Sequence, residues 1–181
     1  MMRVIAGELR SRKIKRVEDS NTRETKDRVK ESIFNMIGPY HQMDNVLDLF
    51  AGSGSLGIES CSRGAKYIDF VDQSIGAIKI LKENIKDLGI SSHTKVAHMD
   101  ALMFLAQTNH KYDLIFLDPP YHVHLLDECL MKIAETKCLK DDGLIVVLSD
   151  QHTEINETKE LAFLKKKRIT RTNVVFLKWR N

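Results

Sequence analysis

The sequence predicts an α/β protein built on a doubly wound, mostly parallel sheet, and three observations carry that prediction. Short apolar runs alternate with amphipathic stretches at helical spacing between Val46 and Ser149, the pattern of repeated βα units. A glycine-rich turn, Gly52-Ser53-Gly54-Ser55-Leu56-Gly57, follows the first of those runs. Acids then close three consecutive runs, at Asp72, Asp100 and Asp118. Carboxylates at the ends of parallel strands share one sheet edge, where folds of this class bind ligands.

Taken in order, Arg3–Gly7 and Arg10–Ile14 read as a short N-terminal hairpin, and residues 17–21 as a polar loop. Thr25–Ile37 is an amphipathic helix with Val29, Ile33, Phe34 and Ile37 on one stripe, ended by Gly38-Pro39. Strands follow at Val46–Phe50, Tyr67–Asp72, Thr94–Asp100, Tyr112–Asp118 and Gly143–Ser149. Between them lie helices at Gly54–Arg63, Ser74–Leu88, Ala101–Gln107 and His124–Glu135. Ser74 is placed to cap its helix, and Gly89 to close it. Phe163–Thr170 and Thr172–Lys178 read as a hairpin, which adds antiparallel strands at one edge and brings the sheet to seven. The division expected is 1–40, a basic hairpin and helix, and 41–181, the α/β domain.

Composition narrows the function classes. The 181 residues are 43% hydrophobic and 29% charged, ordinary for one globular domain. Apolar runs such as Leu144–Leu148 are too short to cross a bilayer, and Met1-Met2-Arg3 is not followed by the apolar stretch of a signal peptide. Cys61, Cys129 and Cys138 are widely spaced with no CxxC pair, which argues for a reducing cytoplasm and against a zinc site or disulfide framework. The net charge of +3 is uneven: residues 1–30 hold ten Lys/Arg against five acids, residues 161–181 hold seven against none, and the middle is left at −9. Basic ends around an acidic centre fit a polyanion at the periphery and a smaller ligand in the middle.

The chemistry concentrates in two motifs. Asp118-Pro119-Pro120-Tyr121 follows the apolar strand Tyr112–Leu117. Pro119 holds Asp118 extended, and neither proline donates a backbone N–H. The segment therefore presents acceptors and one aromatic face, suited to a planar group that carries an amine. Gly52-x-Gly54-x-x-Gly57 formally matches a dinucleotide fingerprint, with Asp72 twenty residues past Gly52. That pairing fits a nicotinamide enzyme and an S-adenosylmethionine enzyme equally. The three strand-end acids divide naturally into Asp72 on a ribose, Asp100 on an adenine amine and Asp118 at the reacting centre. His122 and His124 lack a third ligand, so no metal is expected.

Asp48-Leu49-Phe50-Ala51-Gly52-Ser53-Gly54, an acid after the second strand and Asp-Pro-Pro-Tyr after the fourth resemble the Rossmann-like S-adenosylmethionine-dependent methyltransferases. The N-terminal segments Arg3–Gly7 and Thr22–Asn35 narrow the resemblance to the RsmD family, which methylates guanine N2 in bacterial 16S ribosomal RNA. It runs from Arg3 to about residue 150, with two departures: Glu24 stands where a proline follows Thr22-Arg23, and Ser11 where a glycine is usual.

The resemblance implies a cofactor set of Asp48, Phe50, Ala51, Gly52, Gly54, Asp72, Gln73, Asp100, Ala101 and Asp118. It implies catalytic residues Asp118, Pro119, Pro120 and Tyr121, with Tyr121 stacking on an extruded base. Arg3, Arg10, Arg12, Lys13, Arg23 and Arg28 are the expected phosphate contacts, with Lys165–Arg168 as an addition or simply a protected strand edge. The expected partner is small-subunit ribosomal RNA or a 30S assembly particle, bound by a monomer. The competing readings are an adenine-N6 methyltransferase, a protein-glutamine methyltransferase, a nicotinamide oxidoreductase and a non-catalytic RNA-binding module.

Overall fold

The computed structural model describes residues 2–17, 27–38, 43–119 and 123–180. Nine strands, five α-helices and one short 3-10 turn (Ser91–His93) occur among them. A two-stranded antiparallel pair, β1 (Met2–Arg3) and β2 (Lys13–Ile14), precedes helix α1 (Asp27–Ile37). The α/β body then runs β3 (Asn45–Asp48), α2 (Ser55–Ser62), β4 (Tyr67–Asp72), α3 (Ile75–Leu88), β5 (Thr94–His98), α4 (Ala101–Gln107), β6 (Tyr112–Leu117), α5 (Val123–Thr136), β7 (Leu139–Asp150), β8 (Leu161–Ile169) and β9 (Thr172–Trp179).

Seven strands form one sheet in the order β5-β4-β3-β6-β7-β9-β8. The first five pair in parallel and the last two add antiparallel, so the doubly wound sheet with an edge hairpin is as the sequence predicts. Alternating side chains build a core on each face. Val46, Leu114, Phe116, Leu144 and Val146 join α1, α2 and α3 on one face. Leu47, Ile115, Leu117, Ile145 and Val147 join α4 and α5 on the other. Met2, Val4 and Ile14 of the N-terminal pair belong to the first of these cores.

The order of β3, β4 and β6 positions the site. The chain moves outward on one side of β3 through β4 and β5, then returns to its other side with β6. In sheets of this class ligands bind beyond the strand ends at such a reversal. The turn after β3 lies at that point.

Several boundaries differ from expectation for identifiable reasons. Asp100 does not close a strand: β5 stops at His98, and the Asp100 carboxylate accepts the N–H groups of Leu102 (2.9 Å) and Met103 (3.1 Å) as the N-cap of α4. Asp118 lies one residue beyond β6. The N-terminal strands are two residues long because Gly7 (φ 83°) and Ser11 (φ 68°) turn the chain between them. β7 begins at Leu139, where an irregular register lets it pair with Tyr112 through the polar stretch before Gly143. The hairpin turn between β8 and β9 is Thr170-Arg171, with Thr170 left-handed at φ 56°.

Candidate active site

The turn after β3 is held open by its own backbone. Gly52 (φ 55°) and Gly54 (φ 85°) are both left-handed, a conformation that costs glycine nothing. Among the described residues no atom outside the turn's own chain neighbours lies within 4 Å of where a Cβ on Gly52 would stand, so the turn is open on that side. Gly57 is glycine for a different reason. A Cβ on it would come within 2.2 Å of the Phe70 ring, so its absence lets α2 lie against β4.

Two carboxylates lock that turn. Asp48, at the end of β3, is buried and accepts the Gly57 N–H at 2.9 Å. Burial pushes its carboxyl up to about 7, the Gly57 hydrogen bond partly opposes this, and the negative charges of Asp118 and Asp72 raise it further. Asp72 accepts the Gly52 N–H on one oxygen and the Ser74 N–H on the other, both at 2.8 Å. Each of its oxygens keeps a lone pair for an outside donor. The turn also bonds to its neighbours through Ala51 N–H to the Val71 carbonyl (2.9 Å) and Gly54 N–H to the Ala51 carbonyl (2.7 Å).

The remaining members of the expected cofactor set flank this core. Phe50 and Gly52 are half-buried, while Ala51 and Gly54 are buried. Gln73 is exposed, and its carbonyl is in contact with His98 Nε2 at 3.0 Å. Asp100 and Asp118 are half-buried. Ala101 is buried in the first turn of α4. Pro119 is described and half-buried; Pro120, Tyr121 and His122 lie outside the described residues. Among the described residues no cluster of His, Cys, Asp and Glu has the arrangement of a metal site.

Arg3, Arg10, Arg12, Lys13 and Arg28 are all exposed; Arg23 and Glu24 lie outside the described residues. Arg12 donates to the carbonyl of Asp87 at the end of α3 (2.9 Å), and Arg3 lies 3.6 Å from Asp27. The segment carrying these residues is fastened by side chains that sequence patterning did not single out. Glu59, buried in α2, accepts the N–H groups of Ile5 (2.8 Å) and Ala6 (3.1 Å) and the Arg63 guanidinium (2.8 Å). Lys30, equally buried, donates to the Arg3 carbonyl at 2.7 Å and stands 3.8 Å from Glu59. Gly7 crosses the end of α2 so closely that a Cβ would fall 1.7 Å from the Ser62 carbonyl oxygen. The local pattern does not mark Glu59, which has Ser55, Leu56, Ser62 and Arg63 at helical spacing and so reads as part of a mixed face.

Known proteins resemble this chain along nearly its whole length. The family model described as "Conserved hypothetical protein 95" matches residues 2–178. The Bacillus subtilis protein YlbH, itself provisionally assigned as an rRNA methyltransferase, is 44% identical over 99% of this chain and 100% of its own length. The ribosomal RNA small subunit methyltransferase D of Haemophilus influenzae is 37% identical over 92% of this chain and 88% of its own. The solved structure of YhhF from Escherichia coli, provisionally named a methyltransferase, superposes with a TM-score of 0.88 at 29% identity, over 99% of this chain and 98% of that one.

Proposed function

Because the chain belongs to the family described as conserved hypothetical protein 95, the RsmD family of small-subunit ribosomal RNA methyltransferases, we propose that it methylates the exocyclic N2 of a guanine in 16S ribosomal RNA, with S-adenosylmethionine as methyl donor. The observation that carries the reading is the strand-end carboxylate Asp118 beside the glycine turn, at the sheet's reversal point.

The residues present fit such a donor. The sulfonium donor is cationic and carries a ribose and an adenine. Around the turn stand the buried Asp48, whose carboxyl is raised to about 7 by desolvation and its acidic neighbours, and Asp72, with lone pairs left for two hydroxyls. The Ser55 hydroxyl, in the first turn of α2, is buried with no hydrogen-bond partner among the described residues. A positive ligand relieves the repulsion between Asp48, Asp72 and Asp118, and the open space over Gly52 gives the backbone close access to it. When bound, the cofactor supplies a methyl group already activated by a positive sulfur.

The protein's own part is positioning. Asp118 and the Pro119 carbonyl accept hydrogen bonds from the guanine amine, which localises a lone pair otherwise delocalised into the ring and aims it. Asp118 also takes up the proton released from the amine. Pro120 and Tyr121 complete the motif, the tyrosine stacking on a base drawn out of its surroundings. Phe50, Ala51, Gln73, Asp100 and Ala101 line the nucleoside side. Segment 1–40, with Arg3, Arg10, Arg12, Lys13, Arg23 and Arg28, faces the phosphates.

The test is methyl transfer from labelled S-adenosylmethionine to small-subunit particles and RNA from cells lacking the protein, followed by nucleoside analysis. The expected product is N2-methylguanosine, and Asp118→Ala lowers kcat by roughly a hundredfold or more. Label in N6-methyladenosine would overturn the substrate, and normal turnover by the variant would remove Asp118 from the chemistry.

A further inference from the structure

Asn84 sits on α3, outside both motifs in sequence, and only 2% of it is exposed. Its side-chain amide makes three hydrogen bonds. Nδ2 donates to the Ser53 carbonyl (2.9 Å) and to the Lys15 carbonyl (3.0 Å), and Oδ1 accepts the Lys15 N–H (2.8 Å). Both amide hydrogens are used, and the identities of the partners allow only this orientation of the group. One side chain thus grips both backbone groups of the residue after β2 and, at the same time, the middle of the glycine turn.

The two things it joins have different tasks. Ser53 lies between the left-handed Gly52 and Gly54. Its carbonyl belongs to the peptide whose N–H, on Gly54, bonds to the Ala51 carbonyl at 2.7 Å. Asn84 therefore fixes the plane of that peptide from the side opposite Ala51, as Asp72 fixes the neighbouring Gly52 N–H. Lys15 is the junction between the basic hairpin and the segment leading to α1. It is held from α3 a second time, through Nζ to Glu83 (3.1 Å) and Asp87 (2.8 Å). Those two contacts are exposed and weak in water, whereas the amide bonds are buried or partly so.

We infer that Asn84 is a positioning residue that couples the cofactor turn to the RNA-facing N-terminal segment, so that occupancy of one site favours occupancy of the other. The inference rests on the function proposed above. A ligand that orders the glycine turn orders the Asn84 amide, and with it the Lys15 backbone, so the ordering that RNA must impose on the basic segment is partly done. By linkage, RNA bound to that segment tightens cofactor binding by the same factor.

The experiment is a binding cycle on the full chain with S-adenosylhomocysteine and a small-subunit rRNA fragment, each titrated alone and in the presence of the other. In the unaltered protein each ligand tightens the other by roughly five- to tenfold, within the usual range for coupled sites. Asn84→Ala brings that factor to within about twofold of unity, while E83Q/D87N, which cuts only the exposed contacts to Lys15, leaves it in place. A purely structural amide would weaken both ligands singly and leave the factor unchanged, and that result overturns the inference. If Asn84→Ala does not fold, hydrogen exchange of the unaltered protein decides. S-adenosylhomocysteine alone slows exchange of the Lys15 amide, and no slowing overturns the coupling. Failure of the unaltered protein to bind either ligand refutes the proposed function itself, and the coupling with it; binding of both without mutual effect refutes the coupling alone.

Discussion

The glycine turn and the N-terminal hairpin are both tied to α2, one near each end, and by opposite means. At the first turn of α2, and in the turn that leads into it, the bonds are shorter in sequence: Asp48 to the Gly57 N–H of α2, nine residues apart, and Asp72 to the Gly52 N–H just before it, twenty apart. At the other end, Glu59 and Ser62 reach residues more than fifty positions away: Ile5, Ala6 and Leu9. The turn is a local motif whose glycines and acids dictate its shape. The hairpin has almost no secondary structure of its own, and it holds its place because buried polar groups of another element satisfy its backbone. The glycine turn is thus shaped mainly by its own segment, with Asn84 as its one long-range tether among the described residues, while the N-terminal segment depends on its dock.

The largest effect comes from breaking that dock. Glu59→Ala removes the acceptor for two backbone N–H groups and takes from the buried Lys30 ammonium its one buried carboxylate neighbour among the described residues, while the Arg3 carbonyl at 2.7 Å and the half-exposed Asp27 at 3.9 Å remain. Removing one partner of a buried pair costs about 3–5 kcal/mol, read as a lowered urea midpoint. A loss below about 1 kcal/mol would show instead that Met2, Val4 and Ile14 hold the hairpin by apolar contact alone.

The next effect tests the turn and depends on pH. Burial and the neighbouring acids raise the Asp48 carboxyl from 3.8 to about 7 in the folded state. A raised folded-state value means the folded protein holds the proton longer than the unfolded chain does. The stability this group contributes is therefore complete below pH ~4, falls as pH rises through about 7, and is flat above. Asp48→Asn keeps an oxygen for the Gly57 N–H and has no proton to lose. The stability of the variant relative to the unaltered protein should rise between pH 4 and 8 by at most about 4 kcal/mol, measured by denaturation at a series of pH values. A difference independent of pH would mean that Asp48 is ionised throughout, and that water or the Gly57 bond compensates its burial.

What the sequence disclosed follows the same division. α3 was legible end to end: Ser74 accepts the Ala77 N–H at 3.3 Å, Gly89 is left-handed at φ 72°, and Ile78, Leu81, Ile85 and Leu88 face the core. Each of those signals acts within a few residues of where it is written. The glycine turn and its acids were legible for the same reason, although Asp100 proved to be a helix cap, because an acid before an apolar helix serves either role. Glu59, Lys30 and Asn84 were not legible. A polar residue in a helical pattern reads as solvent-facing unless its partner is known, and here the partners are backbone groups 27 to 69 residues away. The start of β7 was hidden likewise, since Lys140, Asp141 and Asp142 interrupt an apolar run that the sheet continues by pairing Leu139 with Tyr112.

The smallest effect sharpens the comparison rather than breaking it. Ser11 is left-handed at φ 68°, and its N–H donates to the Val4 carbonyl at 2.9 Å. A side chain in that conformation is strained by about 1–2 kcal/mol, and glycine removes the strain at the expense of a floppier unfolded chain. Ser11→Gly should therefore stabilise the protein by about 0.5–1 kcal/mol, or ~1–4 °C in Tm for a chain of this length. The sign alone does not decide how the hairpin behaves, but the place where the gain appears does. If the hairpin unfolds only together with α2 and α3, the gain is seen in global unfolding and in the exchange of the most protected amides. If its docking bonds open on their own, exchange at Val4, Ile5 and Ala6 slows while the global midpoint stays fixed. The second outcome would make the hairpin a separately opening unit and would put the Glu59 and Asn84 bonds, rather than the shared apolar core, in charge of when it is closed.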